Sequence, residues 1–153
     1  MKEITDYIEY VRANPKRHAI KTRQAVERIA LMVKCVEAGE IVYDAAEVRK
    51  VIQFFGRLVA DETGLKIKLM PWQKFFIACL FGFREKAGRR IIFNDVFLFI
   101  AKKNGKTALI AGLALYNLIT VAAAQVILIA TDYNQAKIAF EIICKYIRNT
   151  PTL

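Results

Sequence analysis

The sequence predicts an α/β chain in two parts. A helical N-terminal region covers residues 1–68, and the first βαβα portion of an open α/β domain covers residues 69–153. Three observations carry this reading. From residue 97 onward, short continuous apolar runs alternate with helix-length amphipathic stretches. A turn-forming tetrapeptide, Lys102-Lys103-Asn104-Gly105, separates the first run from the helix that follows it. The first two-fifths of the chain instead repeats its apolar residues at helical spacing. A βαβα order implies parallel strands joined by a right-handed crossover.

Residues 5–13 read as a short helix stopped at Asn14-Pro15, because proline disfavours helix in the residue before it. Residues 21–37 form a second helix, with Val26, Ile29, Ala30, Val33 and Val36 on one stripe and Gly39 as its stop. Residues 44–60 form a third, opened by Asp44 and Glu47 in capping-box spacing. Its core stripe is Val48, Val51, Ile52, Phe55, Leu58 and Val59. After a turn at Gly64, Pro71 suits the first turn of a fourth helix that runs to about residue 85. KAGR at 86–89 is a turn, and IIFNDVFLFI at 91–100 predicts one or two strands with a break at Asn94-Asp95. A helix is expected over 106–120, a fully buried strand over 125–130, and a last helix over 132–148 capped by Asp132.

Composition narrows the function classes. The 153 residues are 56% hydrophobic, which fits a folded body, and carry a net charge of +10, which favours polyanionic partners. The excess is uneven: residues 1–70 hold 13 Lys+Arg against 10 Asp+Glu, and residues 71–153 hold 11 against 4. Cys35, Cys79 and Cys144 are far apart in apolar surroundings, so buried free thiols in a reducing compartment are expected. His18, the one histidine, lies in a basic run and supports neither a triad nor a metal cluster. The acidic, discontinuous N-terminus is unlike a signal peptide. Residues 108–131 run uncharged for 24 residues, long enough to span a bilayer. Their change from Ala/Leu-rich to β-branched composition favours a buried helix followed by a buried strand, and no membrane association is expected.

The most specific feature is the heptapeptide AKKNGKT at 101–107. The standard phosphate-binding loop is G-x-x-x-x-G-K-[ST] between a strand and a helix. Here Gly105-Lys106-Thr107 keeps the second half, while Ile100 occupies the first glycine position. Gly105 admits close backbone approach by a phosphate, and the helix N-terminus presents positive potential to it. Lys106 would reach the β and γ phosphates and the Thr107 hydroxyl would hold Mg²⁺. The fold class is then the opening of a P-loop NTPase domain. A surface turn with solvated lysines is the competing reading of the tripeptide alone.

The segment LFIAKKNGKTALIAGLALYNL (98–118) resembles the ATPase loop and following helix of the large terminase subunit of tailed bacteriophages. In that family a basic pair followed by Asn-Gly-Lys-Ser/Thr is common. Pro71-Trp72-Gln73 is similar to its adenine-recognition element, and QVILIATDYNQAKIAF (125–140) resembles the strand and helix that follow the loop. The resemblance spans roughly 69–147. It implies ATP and Mg²⁺ as cofactors, with Gln73 on the adenine edge. Trp72 packs nearby or anchors the start of a core helix. Lys106 and Thr107 contact phosphate and Mg²⁺, with Asn104 and Gly105 in the cradle. Lys102 falls where relatives carry an arginine that senses the γ-phosphate; lysine keeps the charge but loses the planar fork. Lys103 neutralises phosphate or is simply solvated.

The resemblance further implies an ATP-driven DNA-packaging motor in the host cytoplasm. Its partners would be double-stranded DNA, the small terminase subunit and the portal protein, and the full-length form is compatible with homo-oligomerisation. After Thr107, however, the acids are Asp132 and Glu141 alone, so neither the acidic pair of the second ATPase motif nor the nuclease carboxylates are present. The chain is therefore expected to be an incomplete ATPase segment, inactive alone. A fragment of another P-loop ATPase such as a helicase, or a non-catalytic helical interaction module, are the alternatives. Arg84, Lys86, Arg89 and Arg90 are candidate DNA phosphate contacts.

Overall fold

The computed structural model describes residues 1–60, 64–151 and 153. Amphipathic periodicity and local capping produce six helices among the described residues. These are α1 (Lys2–Ala13), α2 (Ile20–Glu37), α3 (Ala45–Arg57), α4 (Pro71–Gly82), α5 (Lys106–Thr120) and α6 (Tyr133–Asn149), with a 3₁₀ turn at Pro15–Arg17. Two short strands, β1 (Ile41–Tyr43) and β2 (Phe83–Glu85), pair antiparallel with Val42 opposite Arg84. By packing the chain divides into two compact units, Met1–Ile52 with Leu69–Val96 and Gln53–Lys68 with Phe97–Leu153.

In the first unit α1 packs on α2 and α4, burying Ile4, Ile8, Val11 and Ile77. Each such side chain removed from water is worth roughly 2 kcal/mol of apolar burial. Of the stripe predicted on α2 only Val26 is fully buried; Ile29, Ala30, Val33 and Val36 are half-buried. Arg12 donates two hydrogen bonds to the Glu27 carboxylate, at 2.9 and 2.7 Å, tying α1 to α2. Asp44 caps α3 as the sequence predicts, its Oδ1 accepting the Glu47 N–H at 3.0 Å. The β1–β2 pair was not visible in the sequence, since three-residue strands some forty residues apart leave no local periodicity. It seats Tyr43 against Gly82 so closely that a methyl group there would overlap the Tyr43 ring. Beyond β2 the chain turns at residues 86–89 and returns, with the Glu85 N–H bonded to the Arg90 carbonyl at 2.9 Å and Arg84 bridged to Ile91.

The second unit is built on α5 and α6 with the C-terminal end of α3. Phe55, Leu58, Leu109, Ala111 and Tyr146 form its centre. The Tyr146 hydroxyl donates to the Ala108 carbonyl at 3.3 Å, and burial pushes its ionisation up to about 12. Val59 donates its N–H to the buried Thr150 hydroxyl at 3.0 Å. The small residues of α5 serve close packing, but against an aromatic side chain of α3 instead of a sheet: Gly112 faces the Phe55 ring.

Two expectations are corrected here. Neither 91–100 nor 125–130 forms a strand; the described ladder hydrogen bonds amount to the isolated bridge at Ile91. The parallel βαβα pairing is accordingly not formed among the described residues. Nor is 125–130 buried, since Ile127 is 78% and Ile129 88% exposed. An extended segment is held by its partners' backbone groups, and without them these apolar runs remain uncovered. The architecture is α/β in the coarser sense of helices with two antiparallel strands. Only the helical half of the uncharged stretch forms as expected, with α5 ending at Thr120, and no described helix is long and apolar enough to cross a membrane.

Of the three free cysteines Cys79 is buried, and Cys35 and Cys144 are half-buried. Desolvation pushes the Cys79 thiol well above its ordinary value. Alkylation with iodoacetamide at pH 8 is expected to modify Cys79 at least tenfold more slowly than Cys144, and equally fast in urea. Equal native rates by peptide mass spectrometry would contradict this placement.

Candidate functional site

The loop singled out by its sequence is an exposed turn over Lys102–Gly105 that leads directly into α5. Lys103 and Gly105 both adopt left-handed backbone, with φ of 65° and 73°. Gly105 occupies this region without strain, whereas Lys103 holds it at a cost of about 1–2 kcal/mol. The Asn104 side-chain amide closes the turn on itself, donating to the Ala101 carbonyl at 3.2 Å and the Lys102 carbonyl at 3.3 Å. Asn104 thus shapes the turn, a role that its position between a lysine pair and a glycine did not disclose.

Helix α5 begins at Lys106, with Gly105 as N-cap and no side chain satisfying its first N–H groups. No acid lies in its first turn. Fifteen residues of aligned peptide dipoles therefore end at an uncapped, solvent-facing N-terminus flanked by three lysines. Lys102, Lys103 and Lys106 are exposed and Thr107 is half-buried. None of these four side chains is engaged in an ion pair or hydrogen bond among the described residues. Uncapped amides next to exposed lysines, with no acid in the first turn, are chemistry that favours an anion.

The first unit holds Trp72 and Gln73 on the opening turn of α4. Trp72 is half-buried. Gln73 is buried at 6% exposure, and its Oε1 accepts the Met70 N–H at 2.8 Å. This is the reach-back half of a capping box, with Gln at the third helical position. The bond fixes the amide plane, leaving Oε1 a second lone pair for another donor. The signal for this role was present in the three-residue spacing from Met70 to Gln73.

The two acids beyond the loop are committed elsewhere. Asp132 caps α6, its Oδ1 accepting the Gln135 N–H at 3.0 Å, and Glu141 pairs with Lys137 at 3.5 Å. Among the described residues no group of three or more His, Cys, Asp or Glu side chains could hold a metal ion. The hydroxyl of Thr107, half-buried at the start of α5, is the donor that the loop would offer a Mg²⁺ ion. Of the basic residues near β2, Lys86 donates to the Gly39 carbonyl at 2.9 Å, and Arg89 lies 3.8 Å from the Asp44 carboxylate. The Arg84 Nε is enclosed without a hydrogen-bond partner among the described residues.

Comparison with known families decides the larger question. The family model described as the terminase large subunit, ATPase domain, matches residues 71–153, just over half of the chain. The chain belongs to this terminase family. The match contains both the Pro71-Trp72-Gln73 opening of α4 and the loop before α5, and the region preceding residue 71 lies outside it. No curated protein and no solved structure matches the chain. Membership of this ATPase-domain family makes ATP binding plausible.

Proposed function

We propose that the chain is the N-terminal ATPase segment of a phage or prophage terminase large subunit, an ATP-driven DNA-packaging motor. The family match over 71–153 carries this reading, because it encloses the two elements whose chemistry suits a nucleotide. Residues 1–68 form a helical N-terminal region and 69–153 the portion of the ATPase domain present here. Gln73 hydrogen-bonds the adenine edge, its amide orientation set by the Met70 N–H, and Trp72 packs beside it. Lys106 binds the β and γ phosphates, Lys103, Asn104 and Gly105 complete the cradle, and Thr107 holds Mg²⁺. Lys102 stands at the γ-phosphate as a point charge. Bound Mg²⁺ would neutralise charge on the β and γ phosphates. Asp132 and Glu141 are engaged elsewhere, so Thr107 is the ligand these residues would contribute to its shell. The motor acts on double-stranded DNA in the host cytoplasm, with the small terminase subunit and portal protein as partners.

The test is a nucleotide titration of the melting transition. A ligand that binds only the folded state stabilises it by about 2.7 kcal/mol at a hundredfold excess over Kd. Mg·ATP is expected to raise the melting temperature of the wild-type chain in a saturable way, and Lys106→Ala to remove the rise. A flat wild-type curve would defeat the proposal. It would favour the second reading, a non-catalytic module that docks on a partner, which the exposed Phe97, Phe99, Ile127 and Ile129 also suit.

A further inference from the structure

We propose that the corner between α1 and α2 is a contact surface for the phosphate backbone of duplex nucleic acid. The inference rests on the reading of the chain as a DNA-acting motor, but places the contact in the N-terminal region, outside the ATPase family match. Between Glu9 and Glu27 the sequence holds no acid and five cations: Arg12, Lys16, Arg17, Lys21 and Arg23. Arg12 is consumed by Glu27, whose carboxylate it neutralises in turn. Lys16, Arg17, Lys21 and Arg23 are all exposed, and none forms an ion pair or side-chain hydrogen bond among the described residues.

The corner that carries them is held in place. Asn14 donates its side-chain amide to the Tyr10 carbonyl at 2.9 Å, and the Arg17 N–H bonds to the Asn14 carbonyl at 3.0 Å. The His18 ring stands edge-on to Tyr10, with centroids 5.3 Å apart. Lys16 and Arg17 thus project from a fixed 3₁₀ turn, and Lys21 and Arg23 from the first turn of α2. Arg23 continues into a groove of about 610 Å³ along the helix, lined also by Ile20, Gln24, Glu27 and Arg28. By contrast, the basic turn after β2 spends Lys86 and Arg89 on its own protein.

The chemistry favours a nucleic-acid backbone over other polyanions. An interfacial membrane helix needs a continuous apolar face. At the corner Tyr10 and Ile20 are the exposed large apolar residues, 46% and 63% accessible, and Leu31, 61% accessible, follows Ile20 by roughly 16 Å of helix, so they form no continuous stripe. An acidic protein partner would call for a larger apolar centre than these separate side chains provide. Backbone phosphates need only cations, and each contact releases counterions, so affinity falls by about 0.9 logarithmic units per phosphate for each tenfold rise in salt.

The experiment is fluorescence anisotropy of a labelled 30-base-pair duplex with the whole chain, across salt. The variants are Lys16→Gln/Arg17→Gln/Lys21→Gln/Arg23→Gln and, for comparison, Lys86→Gln/Arg89→Gln/Arg90→Gln, with folding verified by circular dichroism. Four phosphate contacts make the wild-type chain lose on the order of 100-fold more affinity than the corner variant between about 50 and 200 mM salt. The corner variant is expected to bind at least tenfold more weakly at low salt, and the turn variant nearly as wild type. Wild-type binding that survives unchanged in the corner variant overturns this inference alone. No binding by wild type overturns the DNA-acting reading with it. Binding to phosphatidylserine vesicles without binding to duplex, lost in the corner variant, would reassign the surface to membrane and also overturn it.

Discussion

Replacing Gly112 by alanine is expected to destabilise the chain by about 1–2 kcal/mol, although helix propensity alone favours the change by about 1 kcal/mol. A Cβ at Gly112 would overlap the ring of Phe55, which is 1% exposed, so the ring gives way only by displacing buried neighbours. Overpacking of this kind costs about 1–3 kcal/mol, and here three ring atoms are involved. Gly56 supplies the control. It lies in α3, is exposed, and has nothing within 4 Å of a built Cβ, so Gly56→Ala is expected to stabilise by about 0.5–1 kcal/mol. Urea denaturation of the two variants should therefore move the midpoint in opposite directions. Adding Phe55→Leu to Gly112→Ala should recover part of the loss, because a shorter side chain removes the overlap. Stabilisation by Gly112→Ala would mean that α5 does not approach Phe55 in solution.

ATP turnover by this chain is expected to stay at the uncatalysed level even where nucleotide binds. Hydrolysis needs a carboxylate-completed Mg²⁺ site and a group that orients water, and general-base assistance alone is worth about 10²–10⁴ in rate. The acids beyond the loop are used otherwise, Asp132 as the cap of α6 and Glu141 beside Lys137. Binding and turnover should thus separate: a saturable melting shift without phosphate release. Sustained Mg²⁺-dependent release of phosphate by pure protein, abolished by Lys106→Ala, would show that other residues here complete the site.

The parts of the molecule legible in the sequence are those decided locally. α3, α5 and α6 lie where periodicity and caps put them, because a helix satisfies its backbone within its own segment. The Asp44 and Asp132 caps were readable for the same reason. Strand assignments depend on distant partners. The continuous apolar runs at 97–100 and 125–130 suit segments covered on both faces, while exposure of Phe97 at 89% and Ile129 at 88% shows that nothing described covers them. The β1–β2 pair was missed from the opposite side, since its stability lies in a register between Ile41 and Glu85 that no local pattern encodes. The loop was legible as chemistry, through Gly105-Lys106-Thr107. Its shape was not, because the left-handed Lys103 and the Asn104 bonds follow from closure of the turn.

If the turn before α5 holds nucleotide phosphates, as proposed, amide chemical shifts report on it directly. In a ¹⁵N-labelled sample titrated with Mg·ATP, the largest, saturating shifts are expected at the amides of Gly105, Lys106 and Thr107. Adenosine alone should leave them unmoved, and Lys106→Ala should lose them. Shifts that fail to saturate, or that gather at Lys16–Arg23 while the loop amides stay still, would contradict it.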